Sequence, residues 1–329
     1  HMAPQLEAIR QSAAVPVYPY GTITIEQAGQ ELAEQYGVSR NAVWKAIGAL
    51  KQEGYAIESS TNRGYRLAED CDRLSATAIK AALSDPAVPV YAVSSVDSTN
   101  EEARRRLSQS SESCFVVVAE EQTAGRGRRG RAFYSPRDTG LYLTLAMAPD
   151  TTVAQLTGVT AYAAVCTARA IREVCGKQPR IKWVNDLFLD GRKIGGILTE
   201  AISDVETGQV SHLMIGVGVN LRAGTVPDEL SGVMGFVDAD GGAKNRLAAA
   251  IVNGLLRYDP ADTGFMEDYR RWSMVLGHGV TYEQNDQTRV GVATAIDDHG
   301  ALEIRHPDGS VAHLRRFVDS IPKASATTL

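Results

Sequence analysis

Phe115-Val116-Val117-Val118-Ala119-Glu120-Glu121-Gln122-Thr123-Ala124-Gly125-Arg126-Gly127-Arg128-Arg129-Gly130-Arg131 carries an apolar run directly into a loop of glycines and guanidinium groups. The β-branched stretch from Phe115 to Ala119 is too short for a helix and reads as a buried strand. In the loop, Arg126, Arg128, Arg129 and Arg131 repel one another, and the interleaved glycines give the backbone no stiffness to resist. Such a loop is expected to be mobile alone and to order around an anion. Guanidinium forks and exposed backbone N–H groups are the fittings for a phosphate. Taken alone, an Arg/Gly run is as well explained by a solvated basic loop. Its neighbours decide otherwise.

Downstream, Tyr134-Ser135-Pro136 closes the loop, Gly140 to Met147 is a second strong strand, and an apolar-rich helix is expected from about Val153 to Val174. Ile181-Lys182-Trp183-Val184-Asn185-Asp186 follows, and Asp190-Gly191 between alternating apolar residues signals a hairpin. Lys182 lies between Ile181 and Trp183, which suggests an ammonium group in a walled site, although a solvated strand lysine is the commoner fate. A further strand runs from His212 to Leu221, where Gly216 and Gly218 let something approach the backbone closely. Upstream, a strand at Val88 to Val93 leads into Asp97-Ser98-Thr99-Asn100, in which Asp97, Ser98 and Thr99 are capping types, so a helix starts here. Its first turn offers hydroxyls, an amide and backbone N–H groups, though capping alone would explain the choice. The centre of the chain is therefore a β-sheet backed by helices, with binding groups at loops and strand ends.

The first seventy residues have a different order. Ala28, Leu32 and Tyr36 share one face of a short helix, Gly37 breaks it, and Ser39 caps a second helix that buries Val43, Ile47 and Leu50. The opposite side presents Asn41, Lys45 and Gln52, with Arg40 and Trp44 toward the flanks. A hairpin with its polar tip at Ser59 to Gly64 follows. Helix, turn, helix and hairpin make a winged helix-turn-helix, whose second helix reads the major groove. From Ser39 to Arg66 the charge balance is +3, and up to Val38 it is −3, so positive charge sits only on the reading helix and wing. Ser39, Arg40, Asn41, Trp44, Lys45, Gln52 and Arg63 are the candidate DNA contacts; a protein-interaction module is the alternative. At the other end, Gly277 to Ile321 has short β runs broken by Asp297-Asp298-His299-Gly300 and Pro307-Asp308-Gly309, which reads as a five-stranded SH3-like barrel.

The chain is expected to be multidomain α+β: a winged helix-turn-helix at 1–70, an α/β domain with a mixed sheet at 71–275, an SH3-like domain at 276–323 and a tail at 324–329. A net charge of −5 over 329 residues argues against a general polyanion binder, so any nucleic-acid contact is local. Four scattered cysteines fit a reducing compartment, and no run has the length of a membrane span or the pattern of a signal peptide, so a cytoplasmic location is expected. The Arg/Gly loop matches G-x-G-x-x-G by letters but has no helix after it, and H-E-x-x-H, G-x-S-x-G and clustered histidines are missing. No protein-ligated metal is expected. Arginines, a lysine and hydrogen-bonding groups suit nucleotidyl transfer, where positioning and charge neutralisation do most of the work.

Asp97-Ser98-Thr99-Asn100, the loop from Gln122 to Arg131, Lys182-Trp183-Val184-Asn185-Asp186, Lys193-Ile194-Gly195-Gly196-Ile197-Leu198 and Gly216-Val217-Gly218-Val219-Asn220 together resemble the biotin–protein ligase family. With the winged helix in front, the resemblance extends to its bifunctional ligase/repressor members and runs from about residue 22 to 322. Two departures stand out: Ala132-Phe133, where the family often has a basic residue and tryptophan, and Val184 in place of a proline. The resemblance implies a class II synthetase-like catalytic domain that uses ATP and Mg²⁺ to make biotinyl-5′-AMP. It then implies transfer of biotin to a lysine of a biotin carboxyl carrier domain. It implies biotin contacts from Ser98, Thr99, Asn100, Gln122, Arg126, Gly127, Arg128, Lys182, Gly195 and Gly196. Nucleotide contacts would come from Arg126, Arg128, Arg129, Phe133, Lys182, Asn185, Lys193 and Asn220, with Lys182 and Arg126 catalytic. It also implies an adenylate-dependent homodimer on operator DNA. Arg315 and Arg316 are expected to face solvent rather than ATP. The rival readings are a lipoate–protein ligase and a ligand-sensing transcription factor without turnover.

Overall fold

Ser39 begins the first described helix, α1 (Arg40–Gln52), its hydroxyl accepting the Ala42 N–H at 3.2 Å. The computed structural model describes residues 37–52, 57–60, 64–67, 73–284 and 287–315. Val43 and Ala46 face inward and Ile47 is half-buried, while Arg40, Asn41, Trp44 and Lys45 are exposed. Strands β1 (Ile57–Ser60) and β2 (Gly64–Leu67) form the expected antiparallel hairpin, and Lys51 Nζ donates to Ser59 Oγ at 3.2 Å, tying helix to hairpin. The expected helix before Gly37, the side chains of Leu50 and Gln52, and the whole of Arg63 lie outside the described residues.

The central domain contains α2 (Ala76–Ala81), β3 (Val90–Val93), α3 (Thr99–Gln109), β4 (Cys114–Ala119), β5 (Gly140–Met147), α4 (Val159–Cys175), β6 (Arg180–Lys182), β7 (Asp186–Leu189), β8 (Arg192–Ser203), β9 (Val210–Asn220), α5 (Asp228–Ser231), α6 (Ala243–Leu255) and α7 (Met266–Trp272). Its strands form one seven-stranded sheet in the order β3-β4-β5-β9-β8-β7-β6. Only β3 and β4 are parallel, so the sheet is mixed. Strand β4 is apolar at almost every position because both its faces are covered. Val116 and Val118 pack into the main core with α4 and α6, whereas Phe115 and Val117 pack with Ala103 of α3 on the other face.

The helix expected from Val153 divides in two. Thr152 and Gln155 form a capping box around a short 3₁₀ turn, Val153–Leu156, and α4 begins only after Gly158. Gly176 ends it in the left-handed region at φ 66. At the Asp190-Gly191 turn both residues have positive φ, 49 and 74, as a two-residue hairpin requires.

The C-terminal segment gives four antiparallel strands in sequence order, β10 (Gly279–Gln284), β11 (Gln287–Ile296), β12 (Leu302–Arg305) and β13 (Val311–Leu314). The fifth strand expected for a barrel is not among the described residues. This sheet meets the central domain where Trp183 Nε1 donates to the Gly300 carbonyl at 2.9 Å and Arg270 Nε donates to the Ile296 carbonyl at 2.7 Å. No helix among the described residues is long and apolar enough to cross a membrane.

Candidate active site

The loop after β4 arches over the ends of β8 and β9 and encloses a cavity of about 420 Å³. That volume lies in the range of sites for small organic ligands. Ser98, Thr99, Asn100, Gln122, Arg126, Gly127, Arg128, Arg129, Phe133, Lys182, Asn185, Lys193, Gly196 and Asn220 all line it. Gly195 does not. A Cβ there would meet the Gly218 carbonyl at 2.6 Å, so that glycine serves the close pairing of β8 with β9.

One half of the cavity is neutral and rich in hydrogen-bonding groups. Arg105 grips Asp97 with both terminal nitrogens, at 2.8 and 2.7 Å, and holds its carboxyl at about 2. The Asp97 carboxylate in turn accepts the Ser98 N–H at 2.8 Å. Ser98 stands at the N-cap of α3, yet its side chain makes no capping bond; the Thr99 N–H is satisfied by Gln122 Oε1 at 2.9 Å instead. Capping therefore does not account for Ser98, which is buried against the cavity. Gln122 Nε2 donates to Ser135 Oγ at 2.9 Å, and Ser135 Oγ donates to the Phe133 carbonyl at 2.9 Å. Asn100 lies across the sheet: Thr144 Oγ1 donates to its Oδ1 at 2.6 Å, and its Nδ2 donates to Glu200 Oε2 at 2.8 Å.

The two glycines of β9 explain how these groups come so near the backbone. A Cβ on Gly216 would lie 2.4 Å from Asn100 Oδ1, and one on Gly218 would lie 2.5 Å from the Phe133 ring. What approaches the strand is the protein's own amide and aromatic ring. Phe133 puts an aromatic cover on the cavity.

The other half is cationic. The loop is closed by its own backbone: the Gly127 N–H donates to the Arg131 carbonyl at 2.7 Å, and the Phe133 N–H donates to the Gly125 carbonyl at 2.8 Å. Arg129 takes the left-handed conformation at φ 57. Charge repulsion within the loop is met by groups outside it. Arg126 pairs with Glu101 at 2.6 Å, and Arg128 donates to Asn185 Oδ1 at 3.3 Å. Burial, with Arg129 alongside, pulls the Arg128 guanidinium below its ordinary value. Lys182 is half-buried, its ammonium 5.9 Å from the centre of the Phe188 ring. The turn that follows, with a cis Trp183–Val184 peptide, is pinned by Tyr269, whose buried phenol donates to the Val184 carbonyl at 3.0 Å. Lys193 pairs with Asp186 at 2.5 Å. Asn220 donates its Nδ2 to the Lys193 and Gly235 carbonyls, leaving Oδ1 as a buried acceptor with no partner among the described residues.

Thr144, Glu200, Asp186 and Tyr269 belong to this constellation, although the sequence reading assigned them no role in the site. Asp186 stood in the quoted Lys182 to Asp186 motif without a role, and Thr144 interrupts the run Leu141 to Leu145 with an aliphatic hydroxyl; Glu200 and Tyr269 carried no local signal. Arg315 is exposed and does not line the cavity, and Arg316 lies outside the described residues.

The HTH domain model matches residues 28–66, and the Biotin/lipoate A/B protein ligase family model matches residues 92–220. The bifunctional ligase/repressor BirA of Bacillus subtilis is 33% identical over 294 residues, 86% of this chain and 90% of that protein. The chain belongs to the BirA family of bifunctional ligase/repressors. The biotin–[acetyl-CoA-carboxylase] ligase of Paracoccus denitrificans is also 33% identical, over 65% of this chain and 92% of that protein. A biotin protein ligase from Aquifex aeolicus, solved in complex with biotin and ATP, shares the BirA-family fold with a TM-score of 0.58 at 22% identity, covering 71% of this chain and 98% of that one.

Proposed function

We propose that this chain is an ATP-dependent biotin–protein ligase that also represses transcription. One observation carries the reading: a single cavity joins a neutral, hydrogen-bonding end to a cationic end. Biotin fits that division, having a neutral ureido ring at one end and a carboxylate at the other. Ser98, Thr99, Asn100 and Gln122 would receive the ring, whose N–H and C=O groups need partners in a dry pocket. Gly127 and Gly196 would border it. Arg126, Arg128 and Arg129 would hold the carboxylate and the phosphates of ATP.

In the first step a carboxylate oxygen attacks the α-phosphorus, the bond to the leaving pyrophosphate breaks, and biotinyl-5′-AMP remains. Lys182 would neutralise charge growing on the α-phosphate. Mg²⁺ enters as the MgATP substrate. Asp186, the carboxylate on this wall, is already engaged by Lys193, so the ion's ligands would come chiefly from the phosphates. In the second step the amine of a carrier-domain lysine attacks the acyl carbon, and AMP leaves. The Arg/Gly loop over the cavity would keep water from the adenylate. The C-terminal sheet would complete an SH3-like domain beside the acceptor surface. Incubating the protein with ATP, labelled biotin and a carrier domain tests the reading. Label on the carrier, none with lipoate in its place and none without ATP is the expected result; an unlabelled carrier rejects it.

Asn220 supports placing adenine near β9. Its free acceptor suits the exocyclic amine of adenine and opposes the carbonyl of guanine. GTP is therefore expected to give a kcat/KM about 10- to 100-fold below that of ATP. Equal use of the two nucleotides in pyrophosphate release would reject that placement.

Repression would follow from an adenylate-bound homodimer setting two winged helices on a palindromic operator. The exposed face of α1 with Arg40, Asn41, Trp44 and Lys45 is the candidate reading surface, and Ser39 fixes where it starts. Lys45→Ala is expected to weaken operator binding and to lower the salt slope by about one per protomer. Gel-shift titrations at several salt concentrations measure both, and an unchanged slope would remove Lys45 from the phosphate contacts.

A further inference from the structure

We propose that Glu200, on β8, is a positioning residue for biotin, fixing the direction of the hydrogen bonds that make Thr99 present an acceptor to the cavity. The proposal rests on the biotin reading of that cavity. Glu200 is 28% exposed at its side chain, Asn100 is 2% exposed and Thr144 is fully buried, so the relay runs from the rim into the core.

A carboxylate can only accept, so the Glu200–Asn100 bond at 2.8 Å fixes which way the Asn100 amide points. Nδ2 faces Glu200 and Oδ1 faces Thr144. Thr144 has one hydroxyl proton and two neighbouring oxygens, Asn100 Oδ1 at 2.6 Å and Thr99 Oγ1 at 2.8 Å. With Asn100 Oδ1 taking that proton, Thr99 receives none from Thr144. Thr99 then spends its own proton inward, on Gln122 Oε1 at 3.2 Å. Its lone pairs are left for the cavity, where a ureido N–H needs an acceptor. Gly216 makes room for this arrangement, because a Cβ there would collide with Asn100 Oδ1.

Without Glu200, the Asn100 amide keeps only the long Nδ2 contact to the Leu198 carbonyl at 3.5 Å to orient it. Turned over, its Nδ2 would donate to Thr144, the Thr144 proton would pass to Thr99, and Thr99 would lose acceptor capacity toward the ligand. Arg104 holds Glu200 from the outer side at 3.5 Å, which helps to keep the carboxylate in place.

Glu200→Ala in the full chain is expected to raise the biotin Kd about tenfold, the loss of one net hydrogen bond, with the KM for ATP within about twofold of wild type. Glu200→Gln, which retains an oxygen to accept from Asn100, should recover most of the affinity. Calorimetric titration with biotin and pyrophosphate release at varied ATP read the two quantities separately. Thr144→Val removes the hydroxyl that a turned Asn100 amide would direct at Thr99, so Glu200→Ala made in the Thr144→Val background should cost little further biotin affinity, and a further loss of about tenfold there would also overturn the proposal. An unchanged biotin Kd in Glu200→Ala, equal losses for biotin and ATP, or a Gln variant as weak as the Ala variant would overturn the proposal. A wild-type protein that binds no biotin would instead bring down the reading beneath it.

Discussion

Lys182→Ala is expected to lower the rate of biotinyl-5′-AMP formation by about 10²- to 10³-fold while leaving thermal unfolding unchanged. The size follows from where the charge sits. Lys182 ends β6 and is half-buried on the cavity wall, between fully buried Ile181 and nearly buried Trp183. An ammonium held beside low-dielectric material acts on nearby charge more strongly than one in water. Its effect is largest where charge appears during the reaction, on the α-phosphate as the carboxylate attacks, so the loss should fall on kcat more than on the KM for biotin. The turn beside it has other supports. The β6–β7 turn is held by Tyr269 and by the Asn185 Nδ2 bond to the Ile197 carbonyl at 2.8 Å, and both remain in the variant. Pyrophosphate release at near wild-type rate would end the assignment. A large drop in melting temperature would recast Lys182 as a structural residue.

The fold was legible in the sequence where the signal was local. The Phe115–Ala119 run, the Asp190-Gly191 turn and the Ser39 cap each state a backbone requirement within a few residues, and each is met. Helix α4 was misjudged at its start because Val153 to Leu156 is apolar enough to continue a helix. The capping box at Thr152 closes a separate 3₁₀ turn first. Among the residues that line the cavity, Ser98 to Asn100, Gln122 and the loop arginines stood out because unusual residues crowd together in the chain. Glu200 and Thr144 could not. Their roles arise from sheet register, which sets Thr144 opposite Gly216 and Gly216 opposite Leu198, with Glu200 two residues further along β8. Gly195 erred in the opposite direction. It sits in the same motif as Gly196, but alternation along the strand sends the two to opposite faces of the sheet, so only Gly196 lines the cavity.

Lys244→Met is expected to destabilise the catalytic domain by about 3–5 kcal/mol, the cost of stranding a buried partner charge. Lys244 is 2% and Glu120 is 7% exposed at the side chain, and they are 3.1 Å apart. Nothing in the sequence separates this lysine from the solvated ones, since Gly242-Ala243-Lys244-Asn245 reads as an ordinary helix start. Glu120 has a second duty: its other oxygen accepts the Leu74 N–H at 2.7 Å. Asn245 continues the clamp, accepting the Ser75 N–H at 2.9 Å and donating to the Arg73 carbonyl at 2.9 Å. The segment that leaves the winged helix is thus fastened to α6 and to the end of β4, two residues before Gln122. A neutral pair that keeps the bond to Leu74 should relieve most of the loss, so Glu120→Gln combined with Lys244→Met is expected to be markedly more stable than Lys244→Met alone. Urea unfolding followed by tryptophan fluorescence reads both variants. If the single variant costs less than about 1 kcal/mol, the ion pair is not what holds this junction. If the double variant is no better than the single, the harm lies in lost packing around the lysine stem rather than in an uncompensated carboxylate.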